Sequence, residues 1–229
     1  MNIPIKKIRE QAEIMQGGAR ALKLRLPQYK AGKELISVQD NEYLSLMSRR
    51  VFRAGLKHSM VDKKWPAFEK VFMQFDIDAV SMMSDDELQD LMNDSSIIRH
   101  WGKIKSVRAN AMAIQELRNE YISTGNYLAQ WPAAEITGLW DDLKKRFSQL
   151  GGNSGPYFLR MAGKDTFILT SQVVTALNHW KVYHGEPKSK AARLKLQEVF
   201  NIWAQESGLP LCHISMILAC SVGSATSRP

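Results

Sequence analysis

The sequence predicts an all-α protein. Apolar residues recur at helical spacing along most of the 229 residues, and the alternation of apolar and polar residues that is typical of strands is nearly absent. Recognisable helix start and stop signals support the same class. Together they predict helices near residues 3–16, 40–54, 65–74, 84–92, 96–122, 135–149, 156–162, 171–183, 188–206 and 211–221.

Three of these helices carry explicit boundary signals. Ser84 is followed by Glu87 at the spacing of a capping box, so a short helix begins there. Pro66 suits the first turn of a helix, where its missing N–H is not needed. Gly208 and Pro210 end one helix and begin the last one. The buried face of the helix that follows Pro66 is predicted to contain Phe68, Val71, Phe72 and Phe75.

Length and charge limit the possible classes of protein. A chain of 229 residues fits one large domain or two small lobes, with a frayed tail at residues 225–229. Lys and Arg outnumber Asp and Glu by 31 to 23, which favours an anionic partner but also fits a merely soluble basic protein. Residues 1–33 are mostly basic among their charged positions, whereas residues 76–94 hold acids and no base.

Cysteine usage and hydropathy exclude several further classes. Cys212 and Cys220 are the only cysteines, so neither a disulfide framework nor a four-cysteine metal site is available, and we expect no metal and no cofactor. No apolar run approaches the ~20 residues that span a bilayer, and the N-terminus lacks the apolar core of a secretory signal. A reducing, cytoplasmic location fits these features.

The predicted helix at 96–122 combines an apolar stripe with basic side chains near its start. Arg99 and Lys103, with Lys105 and Arg108, gather in its N-terminal half. They indicate either a contact with an anionic partner or a solvated basic face. The side chains predicted to face inward are Ile97, Ile98, Ile104, Val107, Ala111, Ile114 and Leu117.

Residues 150–156, Leu-Gly-Gly-Asn-Ser-Gly-Pro, form a tight turn directly before a predicted helix. We expect positive φ at two points of this turn, since Asn153 and Gly155 are residue types that tolerate the left-handed conformation. Such a turn at a helix start presents backbone N–H groups to a phosphate. An ordinary αα-corner capped by glycines is the alternative. The turn resembles the hairpin of helix-hairpin-helix DNA glycosylases, with Asn153 in place of the first glycine.

Four further blocks occur in order over residues 52–111. They are Phe52-Arg-Ala-Gly-Leu56, Lys63-Lys-Trp-Pro-Ala-Phe-Glu69, Phe75-Asp-Ile-Asp-Ala-Val80, and Ile97-Ile-Arg-His-Trp-Gly-Lys-Ile104 with Asn110-Ala111. These blocks resemble the core of the DNA-3-methyladenine glycosylase I family, and with the hairpin the resemblance covers about residues 43–178.

This resemblance implies a single two-lobed helical domain over residues 1–229, with a helix-hairpin-helix segment at 150–178 that binds DNA. It also implies a cleft between the lobes that holds a flipped base, because an enzyme cannot reach the glycosidic bond of a stacked base. The candidates for the base pocket are Arg50, Phe52, Trp65, Trp101 and Tyr157, although an aromatic ring is more often a core residue than a pocket residue.

The chain departs from the family pattern at several positions. Arg50 and His58 stand where the family has a glutamate and a tryptophan that recognise the base, and the zinc-binding cysteines and histidines are missing. Thr170, Ser171 and Gln172 occupy the place of the aspartate that most of the wider superfamily uses to activate water. The methyladenine branch manages without that aspartate. The hairpin contains no lysine, so we expect hydrolysis without lyase chemistry.

We therefore take His58, Thr170, Ser171 and Gln172 as the candidate catalytic residues. His58 and His100 are also typical of structural histidines. Arg50 and Arg53 fit either a phosphate clamp or ion pairs with acids such as Asp40 and Glu42. The candidate DNA-backbone ligands are Gly152, Asn153, Ser154, Gly155, Arg53, Arg99 and Lys103.

These observations favour a monofunctional DNA glycosylase that removes alkylated bases such as 3-methyladenine. Its partner would be double-stranded DNA with a damaged base, and we expect a monomer associated with the bacterial nucleoid. Two alternatives remain. One is a non-catalytic DNA-binding relative that keeps the phosphate clamp. The other is a helical interaction protein whose acidic stretch, residues 76–94, binds a basic partner.

Overall fold

The computed structural model describes residues 3–223, and no β-strand is present in that range, which confirms the all-α class. The predicted tail at 225–229 lies outside the described residues. The helices are α1 Ile5–Gln16, α2 Ala19–Lys23, α3 Gly32–Ile36, α4 Asp40–Arg53, α5 His58–Val71, α6 Ile77–Ser81, α7 Asp85–Asp90, α8 Trp101–Tyr121, α9 Thr124–Gln130, α10 Ile136–Arg146, α11 Ser154–Ala162, α12 Ser171–His179, α13 Lys190–Ser207 and α14 Leu211–Cys220.

The helices group into two compact units. The central unit consists of Lys30–Trp131 and Leu139–Lys164, and the terminal unit of Met1–Tyr29, Pro132–Gly138 and Asp165–Pro229. Among residues 3–223, none of the helices combines the length and the apolar character that crossing a membrane requires.

The core of the central unit is an aromatic cluster between α4 and α5. Trp65 stacks on Phe68 and on Phe75, with ring centroids 5.0 and 5.5 Å apart, and Phe52 lies 4.4 Å from Phe68. The apolar stripe of α8 packs against α4 and α6, and its predicted inward-facing side chains from Ile104 to Leu117 are fully buried. Burial of this much aromatic and aliphatic surface is the main force that holds the unit together.

The start of α5 differs from the predicted one. The helix begins at His58 rather than near residue 65, so Pro66 lies inside it and not in its first turn. The two added turns are held by tertiary contacts, because Val61 is buried and Asp62 forms an ion pair with Arg53 of α4. These contacts offset the backbone hydrogen bond that Pro66 cannot donate.

Four short helices, α2, α3, α6 and α9, were not predicted. Two of them have side-chain caps, from Asp76 for α6 and from Ser123 for α9. The long helix α8 begins at Trp101 rather than at residue 96, because the Nδ1 atom of His100 accepts a hydrogen bond from the N–H of Lys103 and caps the helix. The capping box of α7 is confirmed, with Ser84 and Glu87 bonded reciprocally.

In the terminal unit, α1, α12 and α13 pack against α14, the most apolar helix. Asp165 caps α14 by accepting hydrogen bonds from the N–H groups of Leu211 and Cys212, at 3.0 and 2.8 Å. Gly208 adopts a left-handed conformation at the end of α13, and Pro210 precedes α14, as the sequence predicts.

Candidate functional site

The hairpin between α10 and α11 lies in the central unit. Gly152 has a positive φ of 58° and is exposed, but Asn153 has a φ of −79°, so the expected left-handed conformation at Asn153 is wrong. Gly155 is also not left-handed. It is a glycine because it is buried in the first turn of α11, where an added Cβ would lie 3.0 Å from the carbonyl oxygen of Leu150.

The backbone of this hairpin has one internal hydrogen bond that bears on the predicted phosphate clamp. The N–H of Ser154 donates to the carbonyl oxygen of Gly151 at 3.1 Å, so this N–H is already occupied. No side chain caps α11, and the loop residues Gly152 and Asn153 are exposed. A phosphate contact of this hairpin stays a prediction, and its donors would come from the loop rather than from Ser154.

Arg50, in the last turns of α4, lies against α11. Its guanidinium carbon is 4.4 Å from the centroid of the Tyr157 ring, within the range of a cation–π contact. The side chain is partly buried, and its Nε atom is buried without a hydrogen-bond acceptor. Burial lowers the pKa of Arg50, and the neighbouring charge of Arg53 lowers it further.

Arg53, one turn further along α4, has a different environment. Its Nη2 atom donates to both carboxylate oxygens of Asp62, at 2.6 and 2.7 Å, and its Nη1 atom contacts the sulfur of Met161. The two acids considered as partners from the sequence are not involved, since Asp40 accepts from Arg118 and from the N–H of Thr124. Arg53 therefore contributes to the packing of α4 on α5 and α11.

Lys103 connects α8 to the end of α4. Its Nζ atom donates to the carbonyl oxygens of Ala54 and Phe52, at 2.7 and 3.3 Å. These are carbonyls at the C-terminal end of a helix, where a cation is favourable. Burial lowers the pKa of Lys103, and the charge of Arg50 lowers it as well. A contact of Lys103 with the DNA backbone, as predicted, would have to compete with these intramolecular hydrogen bonds.

The aromatic candidates separate into two groups. Phe52 and Trp65 are 0% and 1% exposed, so both are core residues and neither presents a face to a base in this structure. Trp101 and Tyr157 are partly exposed, and the Nζ atom of Lys105 lies 4.9 Å from the Trp101 ring. Only Trp101 and Tyr157 therefore remain as aromatic candidates for a pocket.

The catalytic candidates lie in both units. His58 is the exposed first residue of α5 in the central unit. Thr170, Ser171 and Gln172 lie at the start of α12 in the terminal unit, and the hydroxyl oxygen of Thr170 accepts from the N–H of Val173 at 3.2 Å. Thr170 is thus a helix cap, whereas Ser171 and Gln172 are exposed. A cleft shared by the two segments stays a prediction.

The acidic stretch 76–94 is largely engaged within the central unit. Asp76 and Ser84 cap α6 and α7, and Asp85 pairs with Arg108. These internal contacts weaken the hypothesis that the stretch serves mainly to bind a basic partner.

Arg99, one of the predicted DNA-backbone ligands, is exposed. Within residues 3–223, no group of three or more His, Cys, Asp or Glu side chains is close enough together to hold a metal ion.

A residue that sequence reasoning missed is Asp62, because it belongs to the turns of α5 that were not predicted. Asp62 neutralises Arg53 and also contacts Arg49 at 3.5 Å. Arg49 and Arg53 of α4 therefore share Asp62 as their counterion. The spacing of Asp62 nine residues after Arg53 carries no local signal of this pairing.

A sequence model of the methyladenine glycosylase family matches residues 33–149, just over half of the chain. The chain belongs to the methyladenine glycosylase family. The matched range includes α4, α5 and α8 and ends directly before the hairpin. Arg50, His58 and Lys103 therefore lie within the part of the chain that defines its membership of the methyladenine glycosylases.

Two individual proteins are similar to parts of this chain. DNA-3-methyladenine glycosylase 1 of Escherichia coli is 37% identical over 65 residues, which are 28% of this chain and 35% of that protein. The matched segment thus spans about a third of the relative's length. Among solved structures, 3-methyladenine DNA glycosylase I from Staphylococcus aureus is 20% identical with a TM-score of 0.50, covering 67% of this chain and 90% of that one.

A more distant structure covers almost the whole chain. The 8-oxoguanine glycosylase/lyase of Methanocaldococcus jannaschii, solved with DNA containing 8-oxoguanine, has a TM-score of 0.58 at 12% identity and covers 93% of this chain and 95% of that one. At this identity the likeness concerns the fold alone. The likeness in fold includes helical segments of this methyladenine glycosylase family member that lie outside residues 33–149.

Proposed function

We propose that this protein is a monofunctional DNA glycosylase that removes alkylated bases, such as 3-methyladenine, from double-stranded DNA in base excision repair. The family match over residues 33–149 carries this proposal, because it contains the cluster formed by the end of α4 and the starts of α5 and α8. The exposed hairpin loop next to α11 supports it with a candidate phosphate contact. We propose that the protein acts as a monomer.

The chemistry asked of such an enzyme is modest. A purine methylated at N3 carries a positive charge in DNA, so it leaves as a neutral base with the electron pair of its glycosidic bond. Water then adds to C1′ of the sugar and releases a proton to solvent. The protein must flip and hold the base, which needs an aromatic surface and a few hydrogen bonds. No strong catalytic acid is required for a bond of this lability.

In the central unit, Tyr157 and Trp101 are the side chains that we propose for base contact, and Arg50 and Lys103 surround Tyr157 and the end of α4 with positive charge. His58 and Gln172 are the exposed candidates for a role near the sugar. Thr170 contributes as the cap of α12 and so orients Ser171 and Gln172.

We propose the cytoplasm, near chromosomal DNA, as the place of action. Neither Cys212 nor Cys220 forms a disulfide within residues 3–223, and both are buried, which is compatible with a reducing compartment.

Alkali-dependent nicking of a plasmid tests the activity. Supercoiled plasmid treated with methyl methanesulfonate should acquire alkali-labile abasic sites when incubated with the protein, and untreated plasmid should not. Without alkali the methylated plasmid should stay supercoiled, because a monofunctional enzyme leaves the strand intact. Nicking without alkali would instead indicate lyase chemistry.

A second candidate is a non-catalytic DNA-binding relative. Residues 170–172 include no carboxylate, and the hydroxyl oxygen of Thr170 is engaged in capping, which favours this alternative. It predicts salt-sensitive binding of duplex DNA without any abasic sites in the methylated plasmid.

A further inference from the structure

Arg50 is a hydrogen-bond donor without an acceptor in the part of the chain that the structure describes. A guanidinium has five N–H donors and accepts no hydrogen bond. Within residues 3–223, none of the donors of Arg50 has an acceptor in hydrogen-bonding distance, and its Nε atom is buried. A buried donor without a partner costs free energy that a ligand with acceptors recovers on binding.

The surroundings of Arg50 supply more positive charge and no counterion. In the described part of the chain, neither Arg50 nor Lys103 forms an ion pair with a carboxylate, and Asp62 is engaged by Arg53 and Arg49. The mutual effect of Arg50 and Lys103 is repulsive. The pair of cations Arg50 and Lys103 therefore favours an electron-rich group and disfavours a hydrogen-bond donor such as an amine.

The loop that follows α4 is open to solvent at Gly55. Gly55 is exposed, and a Cβ added there would meet no atom within 4 Å. Lys103 donates to the carbonyl oxygen of Phe52 in the last turn of α4 and to that of Ala54 at the start of this loop, so these acceptors are already occupied. The cation–π contact with Tyr157 holds the guanidinium in place through its charge. This contact uses none of the N–H donors with which Arg50 could bind the acceptors of a ligand.

We infer that Arg50 recognises the acceptor edge of a guanine-type base, so that the protein removes N3-methylated guanine in preference to N3-methylated adenine. Guanine presents O6 and N7, two acceptors that match the fork of an arginine, whereas adenine presents N7 beside an amino group that can only donate. The inference rests on the proposed glycosylase activity and specifies its substrate class.

A phosphate of the DNA backbone is the other acceptor that such a cluster could hold. Backbone ligands are commonly exposed side chains, whereas Arg50 is partly buried between α4 and α11 and lies on an aromatic ring. Both features distinguish Arg50 from such surface ligands. The two ligands also predict different results, because a phosphate contact affects all bases equally.

The test compares two bases methylated at the same ring atom. Duplex DNA treated with methyl methanesulfonate contains both 3-methyladenine and 3-methylguanine, and their initial release rates are measured by mass spectrometry relative to their content. The wild-type protein should release 3-methylguanine about tenfold faster or more, the discrimination expected of a bidentate contact. Arg50→Gln should reverse the preference, since glutamine pairs with N6 and N7 of adenine.

Two controls separate this effect from charge and folding. Lys70→Gln also removes one positive charge from the central unit, at an exposed position on α5, and should leave the ratio unchanged. Arg50→Lys keeps the charge and loses the fork, so it should reduce the ratio. An equal ratio in the wild type and Arg50→Gln would overturn the inference, as would an equal loss of both rates with weaker duplex binding, which indicates a phosphate contact.

Binding of the free bases gives a readout that does not depend on hydrolysis. Isothermal titration of the wild-type protein should show tighter binding of 3-methylguanine than of 3-methyladenine, and Arg50→Gln should reverse the order. Release of neither base from DNA, together with this binding order, would refute the proposed enzyme but retain the recognition by Arg50. Release of both bases with tighter binding of 3-methyladenine would refute the recognition alone.

Discussion

The terminal and central units use their polar side chains differently. In the terminal unit, Asp165 and Thr170 accept hydrogen bonds from backbone N–H groups at the starts of α14 and α12. Ser215 likewise accepts from the N–H of Ile168 at 3.1 Å. These side chains complete the backbone hydrogen bonding of the fold, and their effects should fall on stability.

The central unit contains charged groups that the fold leaves without counterions. Arg53 is neutralised by Asp62, but among residues 3–223 Arg50 has no acceptor and Lys103 has only main-chain carbonyls. Unneutralised cations that are partly buried are a cost to the folded protein unless a ligand uses them. On the proposed function, we therefore expect recognition of DNA and base to be concentrated in the central unit.

The largest expected effect is that of salt on DNA affinity. Neutralising roughly five phosphates should lower the affinity several hundredfold between about 50 and 200 mM salt. Lys144 packs beside Gly151 of the hairpin, so Lys144→Gln should reduce the slope of log affinity against log salt by about one. Fluorescence anisotropy with a duplex measures this.

Lys195→Gln, at an exposed position of α13, is the matched control in the terminal unit and should not change the slope. A slope near zero for the wild-type protein would mean that its positive charge serves only solubility. An equal effect of both substitutions would contradict the assignment of DNA contact to the central unit.

Removal of Asp165 should cost about 2 kcal/mol of unfolding free energy, because Asp165→Ala removes two hydrogen bonds that cap α14. Urea denaturation measures the loss, and the relative release of different methylated bases should not change. Glu198→Ala, at an exposed position on α13, is the control with a near-zero effect. Unchanged stability of Asp165→Ala would contradict the role given to this unit.

Removal of His58 or Gln172 should each slow base release at least tenfold, or about 1.4 kcal/mol in activation free energy. Both side chains are exposed, and the structure gives neither a hydrogen bond within residues 3–223, so folding should be intact. Single-turnover rates of His58→Ala and Gln172→Ala provide the measurement, with His184→Ala as an exposed histidine control. Wild-type rates in both variants would exclude them from the chemistry.

The smallest expected effect is that of Arg50 on stability. Arg50→Gln should change the unfolding free energy by less than about 0.5 kcal/mol, since no hydrogen bond is lost and the loss of the cation–π contact with Tyr157 is offset by removal of a partly buried charge. Arg53→Gln should cost about 1 kcal/mol, because it breaks a bidentate ion pair with a partly exposed carboxylate. Equal losses in the two variants would remove the contrast on which the inference about Arg50 depends.

The sequence predicted the features that depend on local patterns. The helical class, the capping box at Ser84 and the boundary at Gly208 follow from spacing and residue type, and the structure confirms them. The start of α5 could not be predicted, because it depends on the tertiary pair between Arg53 and Asp62. The family blocks were visible in the sequence, and the family match confirms them.

The details of the site were less accessible from the sequence. Residue type cannot distinguish a core aromatic from a pocket aromatic, so Phe52 and Trp65 were grouped with Tyr157 although both are buried. In the same way, the sequence does not distinguish a glycine required by a close contact, as Gly155 is beside the carbonyl oxygen of Leu150, from a glycine required by a left-handed conformation. Both distinctions depend on contacts between elements that are distant in the chain.

Identification of the released bases tests the central claim most directly. Duplex DNA carrying mixed methylation damage is incubated with the protein, and the bases set free are identified by mass spectrometry over time. The account predicts that N3-methylated purines are released in an enzyme-dependent manner and that normal adenine, and uracil from a uracil-containing duplex, are not. If no modified base is released while the protein still binds duplex DNA with strong salt dependence, the glycosylase assignment is contradicted and the non-catalytic relative stands.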